Sequence, residues 1–204
     1  MLISAKDRER VAAAIGEAEK RTSGEIVAVV AASSASYVSV APLVAALVAL
    51  LVPWPLIYFT WWPVQSIYLL QLLVFVVVAT VIYYRPVRLA LVPASIKRDR
   101  AHKRAVEQFL AQNLYTTDGH TGVLIFLSAA EHYAEIIADR NIYKLTPPDE
   151  WQAMVDQLTQ SIGAGDAAGG LLAAIAATGD LLAKHYPPGS SNTNELPNHL
   201  IVID

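Results

Sequence analysis

VSVAPLVAALVALLVPWPLIYF-TWWP-VQSIYLLQLLVFVVVATVIYY, residues 38–84, contains no Asp, Glu, Lys or Arg; the nearest are Glu25 before it and Arg85 after it. Its two halves, 38–59 and 64–84, each have the roughly 20 residues that cross a hydrocarbon layer as a helix. Thr60-Trp61-Trp62-Pro63 between them reads as a tight reversal. Trp54, Tyr58, Trp61, Trp62 and Tyr68 gather around that reversal, and Tyr83 and Tyr84 stand at the far end of the second half. Amphipathic rings settle at headgroup level, so Trp54, Trp61, Trp62, Tyr83 and Tyr84 read as interface anchors. The expectation is a transmembrane hairpin over 37–85, with Pro53 and Pro55 distorting the end of its first span.

Charge orients this hairpin. Lys6, Arg8, Arg10, Lys20 and Arg21 precede it, Arg85, Arg88, Lys97, Arg98 and Arg100 follow it, and the Trp-rich turn carries none. Positive-inside bias predicts both termini on the cytoplasmic side of a bacterial inner membrane. A pair of buried core helices is the plainer alternative, and it needs a larger soluble shell than the rest of the chain offers. Residues 86–98 read as an interfacial linker with a short amphipathic piece.

Composition agrees. The chain of 204 residues is 54% hydrophobic and 16% charged, with a mean hydropathy of +0.40. Cysteine is absent, which removes disulfides, thiolate nucleophiles and cysteine metal sites. A net charge of −3 gives no general basis for nucleic-acid binding. The opening MLISAKDRERVAAAIGEAEKR is charged and does not have the form of a signal peptide.

The polar remainder reads as one α/β domain split by the hairpin, residues 1–36 and 99–186, followed by a tail at 187–204. Val11, Ile15 and Ala18 lie at helical spacing over 7–20, and Thr22-Ser23-Gly24 ends that helix with Gly24 in the left-handed stop position. Glu25–Ala31, EIVAVVA, is a buried strand. Val106, Phe109, Leu110 and Leu114 mark a second helix over 100–114. Gly122–Ser128 is continuously apolar, as a central strand covered on both faces would be. Residues 129–131 form a turn into a third strand, 132–138. Helices follow over 149–161, where Asp149 and Glu150 suit the positive dipole end, and over 168–186. The apolar segment 200–203 docks on the domain or adds an edge strand. The order α-β-[hairpin]-α-β-β-α-α gives a small helix-sheet-helix sandwich of α/β class.

TSGEIVAVV at 22–30, TGVLIFLSAAEHYAEIIADRNI at 121–142, Trp151, the helices around Gly163 to Ala176, and Asn194-Glu195-Leu196-Pro197 together resemble the TPM family. The likeness spans roughly residues 8–186 plus that tail motif. It is to bacterial members with membrane helices inserted in the domain. The resemblance implies a mixed central sheet between helices and a membrane tether. Some relatives are linked to phosphatase activity, calcium binding or photosystem repair, with acidic residues in the loop before the second strand and around the sheet ends. The matching loop here, 116–121, holds Asp118 and His120, and Asp139 follows the third strand.

Asp118, His120 and Asp139 are therefore the candidate ligands for calcium or another divalent cation, or the centre of a phosphomonoester hydrolase, with His102 or Glu25 as further members. No cofactor is otherwise expected. Asp118-Gly119 is equally a turn pair, with glycine at positive φ, and Asp139-Arg140 a solvated strand end. His132 shares a face with Ala134 and Ile136 and reads as a packed or edge histidine. Trp151 reads as a helix anchor. Gly163, Gly165, Gly169 and Gly170 lack the preceding strand and following Lys-Ser/Thr of a phosphate loop, and read as a helix break with close packing beyond it. Ser33, Ser34 and Ser36 have no His–Asp arrangement beside them in sequence.

Three functions are separable: a membrane-anchored interaction module for membrane-protein assembly or quality control, with the bilayer and a membrane protein as partners; a phosphatase or divalent-metal domain; and an oligomeric transport component. Only Gln65 and Gln71 offer long polar groups within the spans, so transport has the least behind it.

Overall fold

The computed structural model describes residues 3–117, 119–188 and 195–203, and for Arg85 and Leu145 the backbone alone. The chain divides into two compact units, Met1–Ser34 with Arg98–Asp204, and Ala35–Lys97.

The first unit is built on a four-stranded mixed sheet. Strands β1 (Glu25–Ala31) and β2 (Gly122–Ser128) coincide with the two apolar runs, and every residue of both is buried. They pair in parallel, Glu25 opposite Gly122 and Ala31 opposite Ser128. β3 (Tyr133–Ala138) returns antiparallel to β2. β4 (Leu200–Ile203) lies parallel to β1, Ala28 opposite Leu200. The sheet order is β3-β2-β1-β4, so 200–203 takes the edge-strand option.

Side chains alternate across this sheet with period two. Ile26, Ala28, Val30, Val123, Ile125 and Leu127 share a core with helices α1 (Ala5–Glu19), α8 (Pro148–Gly163) and α9 (Ala167–His185). Val27, Val29, Ala31, Leu124 and Phe126 face the other way, onto Ala105 and Phe109 of α6 (Ala94–Ala111) and onto Leu114. Helices thus cover both faces, which explains why both central strands are apolar throughout. Trp151 is buried in the larger core, as an anchor should be. The glycine-rich break falls between α8 and α9, with Gly165 at φ 81°. A Cβ on Gly170 would stand 2.6 Å from that of Ser161, so the glycine admits the close crossing of these helices.

Three expectations need correcting. Gly24 does not take the left-handed conformation; α1 ends through Lys20 in the right-handed region. A Cβ on Gly24 would lie 3.0 Å from Leu182 and 3.2 Å from the Thr121 carbonyl, so packing explains that glycine. His132 is not in β3 but exposed in the preceding turn at φ 49°. The helix expected over 100–114 starts at Ala94, immediately after Pro93, and stops at Ala111, with a short 3-10 turn over Leu114–Thr116. Between β3 and α8 the structure adds a short helix, α7 (Arg140–Leu145), where the sequence assigned no element.

The second unit holds α2 (Val40–Leu51), α3 (Pro53–Phe59), α4 (Val64–Tyr83) and α5 (Arg85–Leu91). The chain breaks between α2 and α3 at Pro53, which removes a backbone donor and displaces the preceding turn. Ala41, Ala45 and Ala49 form a buried small-residue row on α2, which packs on α4; such rows let helix backbones approach. By length and composition, Val40–Phe59 and Val64–Tyr83 are apolar enough to cross a membrane, each with mean hydropathy 2.3. So is Ala167–His185, which is α9 of the α/β unit.

Candidate functional site

The loop before β2 and the residue after β3 meet because those strands are antiparallel. Asp139 donates its backbone N–H to the Gly122 carbonyl at 2.9 Å, and His120 Nδ1 lies 3.1 Å from Asp139 Oδ2. Asp118 lies outside the described residues. Gly119 at φ 83° and His120 at φ 55° make the expected left-handed turn, held by Asn141 Nδ2 donating to the Gly119 carbonyl at 2.9 Å. Asp139 also caps α7, its Oδ1 accepting the Arg140 N–H at 2.6 Å. His120, Asp139, Tyr115, Arg140, Asn141 and Lys144 line a cleft of about 460 Å³.

Calcium takes six to eight oxygen ligands, towards which the described residues here bring the Asp139 carboxylate. Both Asp139 oxygens are engaged, and Arg140 and Lys144 bring positive charge to the same cleft. Among the described residues no three His, Cys, Asp or Glu side chains converge as metal ligands. The pair can hold the imidazole with its proton on Nδ1, leaving Nε2 as an acceptor. His102, the other histidine considered, is elsewhere: its Nδ1 lies 2.8 Å from Glu135 Oε1.

Glu25 does not join His120. It belongs to a second acidic cluster at the same end of β1, which the sequence reading missed. Its Oε1 accepts the Glu195 N–H at 3.1 Å and its Oε2 the Leu196 N–H at 3.3 Å, while Glu19 Oε1 accepts the Ile26 N–H at 2.9 Å. This gives Glu195-Leu196 of the tail motif a structural role; Asn194 lies outside the described residues. Burial pushes the Glu19 carboxyl up to about 7, the Glu25 charge adds to the rise, and the Ile26 amide and Asn198 side chain oppose it. Burial raises Glu25 as well, against the two tail amides. The available signal was a glutamate at the head of a wholly apolar strand.

At the opposite end of the sheet, Ser34 Oγ donates to Ser128 Oγ at 2.7 Å and Ser128 Oγ donates to Glu131. Glu131 Oε1 accepts from Ser33 Oγ at 3.1 Å and from the Ser34 N–H at 3.1 Å. This network ties the exit of β1 to the β2–β3 turn. It engages the hydroxyls of Ser33, Ser34 and Ser128 with the Glu131 carboxylate.

Residues 85–181 match the family model of the TPM domain. The chain is similar to the solved structure of BA42 protein from the psychrophilic bacterium Bizionia argentinensis, with TM-score 0.61 and 18% identity, covering 98% of this chain and 94% of that one. At that identity the likeness speaks for the α/β fold alone. No curated protein matches the chain significantly.

Proposed function

We propose that this is a membrane-anchored protein of the TPM type whose α/β domain binds a partner protein in membrane-protein assembly or quality control. One observation carries the reading: Val40–Phe59 and Val64–Tyr83 are strongly apolar, yet only 17% and 11% of their most apolar windows are buried within the protein. Exposed Leu, Trp, Tyr and Phe side chains on that scale are costly in water and favourable in lipid. The unit that carries them begins and ends within the α/β domain, which a hairpin returning to one side permits. Lys and Arg on both flanks and none in the 60–63 turn favour cytoplasmic termini in a bacterial inner membrane.

The test uses the native absence of cysteine. Single cysteines placed at Thr60 and at Lys184 are probed with an impermeant thiol reagent in whole cells, and photo-cross-linkers on the domain capture its neighbours. Labelling at position 60 only, with a reproducible cross-linked membrane protein, is the expected result. Labelling at position 184 only reverses the topology, and no captured protein refutes the binding role.

Phosphomonoester hydrolysis at His120 and Asp139 is the second reading, supported by their 3.1 Å pairing beside Arg140 and Lys144. It requires generic phosphomonoesterase activity that His120→Ala abolishes.

A further inference from the structure

The apolar unit carries positive charge without any counter-charge of its own. Its bounds are Ala35–Lys97; within them Arg85, Arg88 and Lys97 are the cations, and there is no Asp or Glu. α4 ends at Tyr83 after 20 residues, the length that spans the hydrocarbon of a bilayer. Tyr84 is extended, with ψ 121°, and interrupts the helix before α5 begins. α5 packs on both α4 and α2, so it lies at the end of the hairpin where α4 stops and α2 starts. In a membrane-anchored chain that end is the headgroup level, where amphipathic rings and basic side chains settle.

Two of these cations are positioned by the fold. The Arg88 guanidinium carbon stands 5.9 Å from the centre of the Tyr83 ring, within the range of a cation–π contact, and Tyr83 is exposed. Arg88 Nε is buried without an acceptor among the described residues. Arg88 makes no ion pair among them either, so its terminal nitrogens are the part left to meet a partner. Lys97 Nζ donates to the Leu89 carbonyl at 3.1 Å, which brings a second charge to the residue next to Arg88. An ammonium has three donors, and this bond uses one. Lys97 also makes no ion pair among the described residues. Farther along α6, by contrast, Lys103 pairs with Asp99 and Arg104 with Glu107.

Charge selects the occupant. Residues 35–97 hold nothing that neutralises Arg88 and Lys97, and the layer at the end of a membrane helix is rich in phosphodiesters. A guanidinium grips a phosphate through paired N–H groups, and an ammonium adds a point charge. A zwitterionic lipid brings its own cation beside the phosphate. An anionic lipid brings net negative charge, which two uncompensated cations favour. A charge that only orients the hairpin need be no more than positive, and lysine would serve it as well as arginine. We propose that the α4–α5 corner holds the headgroup of an anionic phospholipid, its phosphate meeting Arg88 and Lys97. This rests on the membrane-anchor reading and adds a specific lipid to it.

The full-length protein is reconstituted in nanodiscs of phosphatidylglycerol mixed equally with phosphatidylcholine, and the lipids it retains on release are counted by native mass spectrometry. Preferential retention of phosphatidylglycerol is expected. Arg88→Ala and Lys97→Ala are each expected to lower that preference on the order of tenfold, the loss of one charge-assisted contact. Arg88→Lys is expected to lower it as well, while a cysteine placed at position 60 stays labelled from outside, which separates headgroup binding from topology. Lys103→Ala removes a cation already paired with Asp99 and is expected to leave the preference unchanged. The proposal is overturned if the wild type retains both lipids alike or if Arg88→Lys behaves as the wild type. It is overturned equally if Lys103→Ala loses as much as Arg88→Ala, the mark of diffuse attraction, or if inorganic phosphate displaces the lipid and so claims the site for a free ion. A chain that inserts with position 60 outside yet shows no lipid preference keeps its anchor and loses this site. A chain that does not enter the nanodisc loses both.

Discussion

Glu19 is 8% exposed, and its carboxyl is raised to about 7 by burial first and by Glu25 second. A carboxyl whose folded value lies above its unfolded value of 4.5 holds its proton more tightly in the native state. Its contribution to stability is complete below the unfolded value and is lost as pH rises through the folded one. Between about pH 4.5 and 7 this single group can impose a slope of up to roughly 1.4 kcal/mol per pH unit. Asn198 Oδ1, buried and without a donor among the described residues, can be met by an amide at position 19. Glu19→Gln is expected to flatten the dependence of the domain's melting temperature on pH in that window and to raise it at pH 8. Parallel wild-type and variant pH profiles would refute this. Gly122 is constrained more simply, since a Cβ there would lie 2.4 Å from the Leu114 carbonyl oxygen. The backbone must move to admit it, and overpacking of this kind costs about 1–3 kcal/mol. Gly122→Ala should therefore lower the denaturation midpoint without changing its slope, and an unchanged midpoint would show that the Leu114 turn yields freely.

Among the elements, β4 depends on a bond to another strand's head. It is four residues long, short of what independent pairing sustains, and the chain reaching it is held by Glu25 through the Glu195 and Leu196 amides. Glu25→Ala removes both acceptors at once, each loss costing about 1–3 kcal/mol where the amide stays shielded. Amide exchange across Leu200–Ile203 is expected to accelerate at least about tenfold, while β2 and β3 keep their protection. Equal exchange in β4 would mean that pairing with β1 alone holds it. This latch also shows where sequence reading stopped. β1 and β2 were legible because burial on both faces demands unbroken apolar runs, and Trp151 because a lone aromatic opening a helix has few other places to go. α7 was not, since six residues carry no helical period and its start depends on the Asp139 cap. The His120–Asp139 contact was legible through the antiparallel return of β3. The Glu19–Glu25 cluster was not, because Glu19 lies among charged neighbours that look like a solvated face, and only the folded tail reveals which glutamate is inside.

At the scale of the whole molecule, the family match covers residues 85–181, while the fold's central strand lies far before them. β1 sits between β2 and β4 in the sheet, is buried along its entire length, and contributes to both cores. α1, which precedes it, shares the larger core with α9. The matched segment is therefore not a folding unit: without β1, one edge of β2 and one of β4 would be exposed and both apolar faces would lack a central row. A fragment of residues 98–204 is expected to show no cooperative thermal transition and to bind a hydrophobic dye. Joining residues 1–34 to 98–204 through a flexible linker in place of the apolar unit restores every strand of the sheet, and should restore a single transition. The loop-closure cost of such a linker grows only slowly with its length, so moderate lengths should behave alike. A cooperative melt from 98–204 alone would show that the domain completes itself without its central strand. Failure of every linked chain to melt cooperatively would show instead that residues 35–97 stabilise the α/β unit as well as interrupting it.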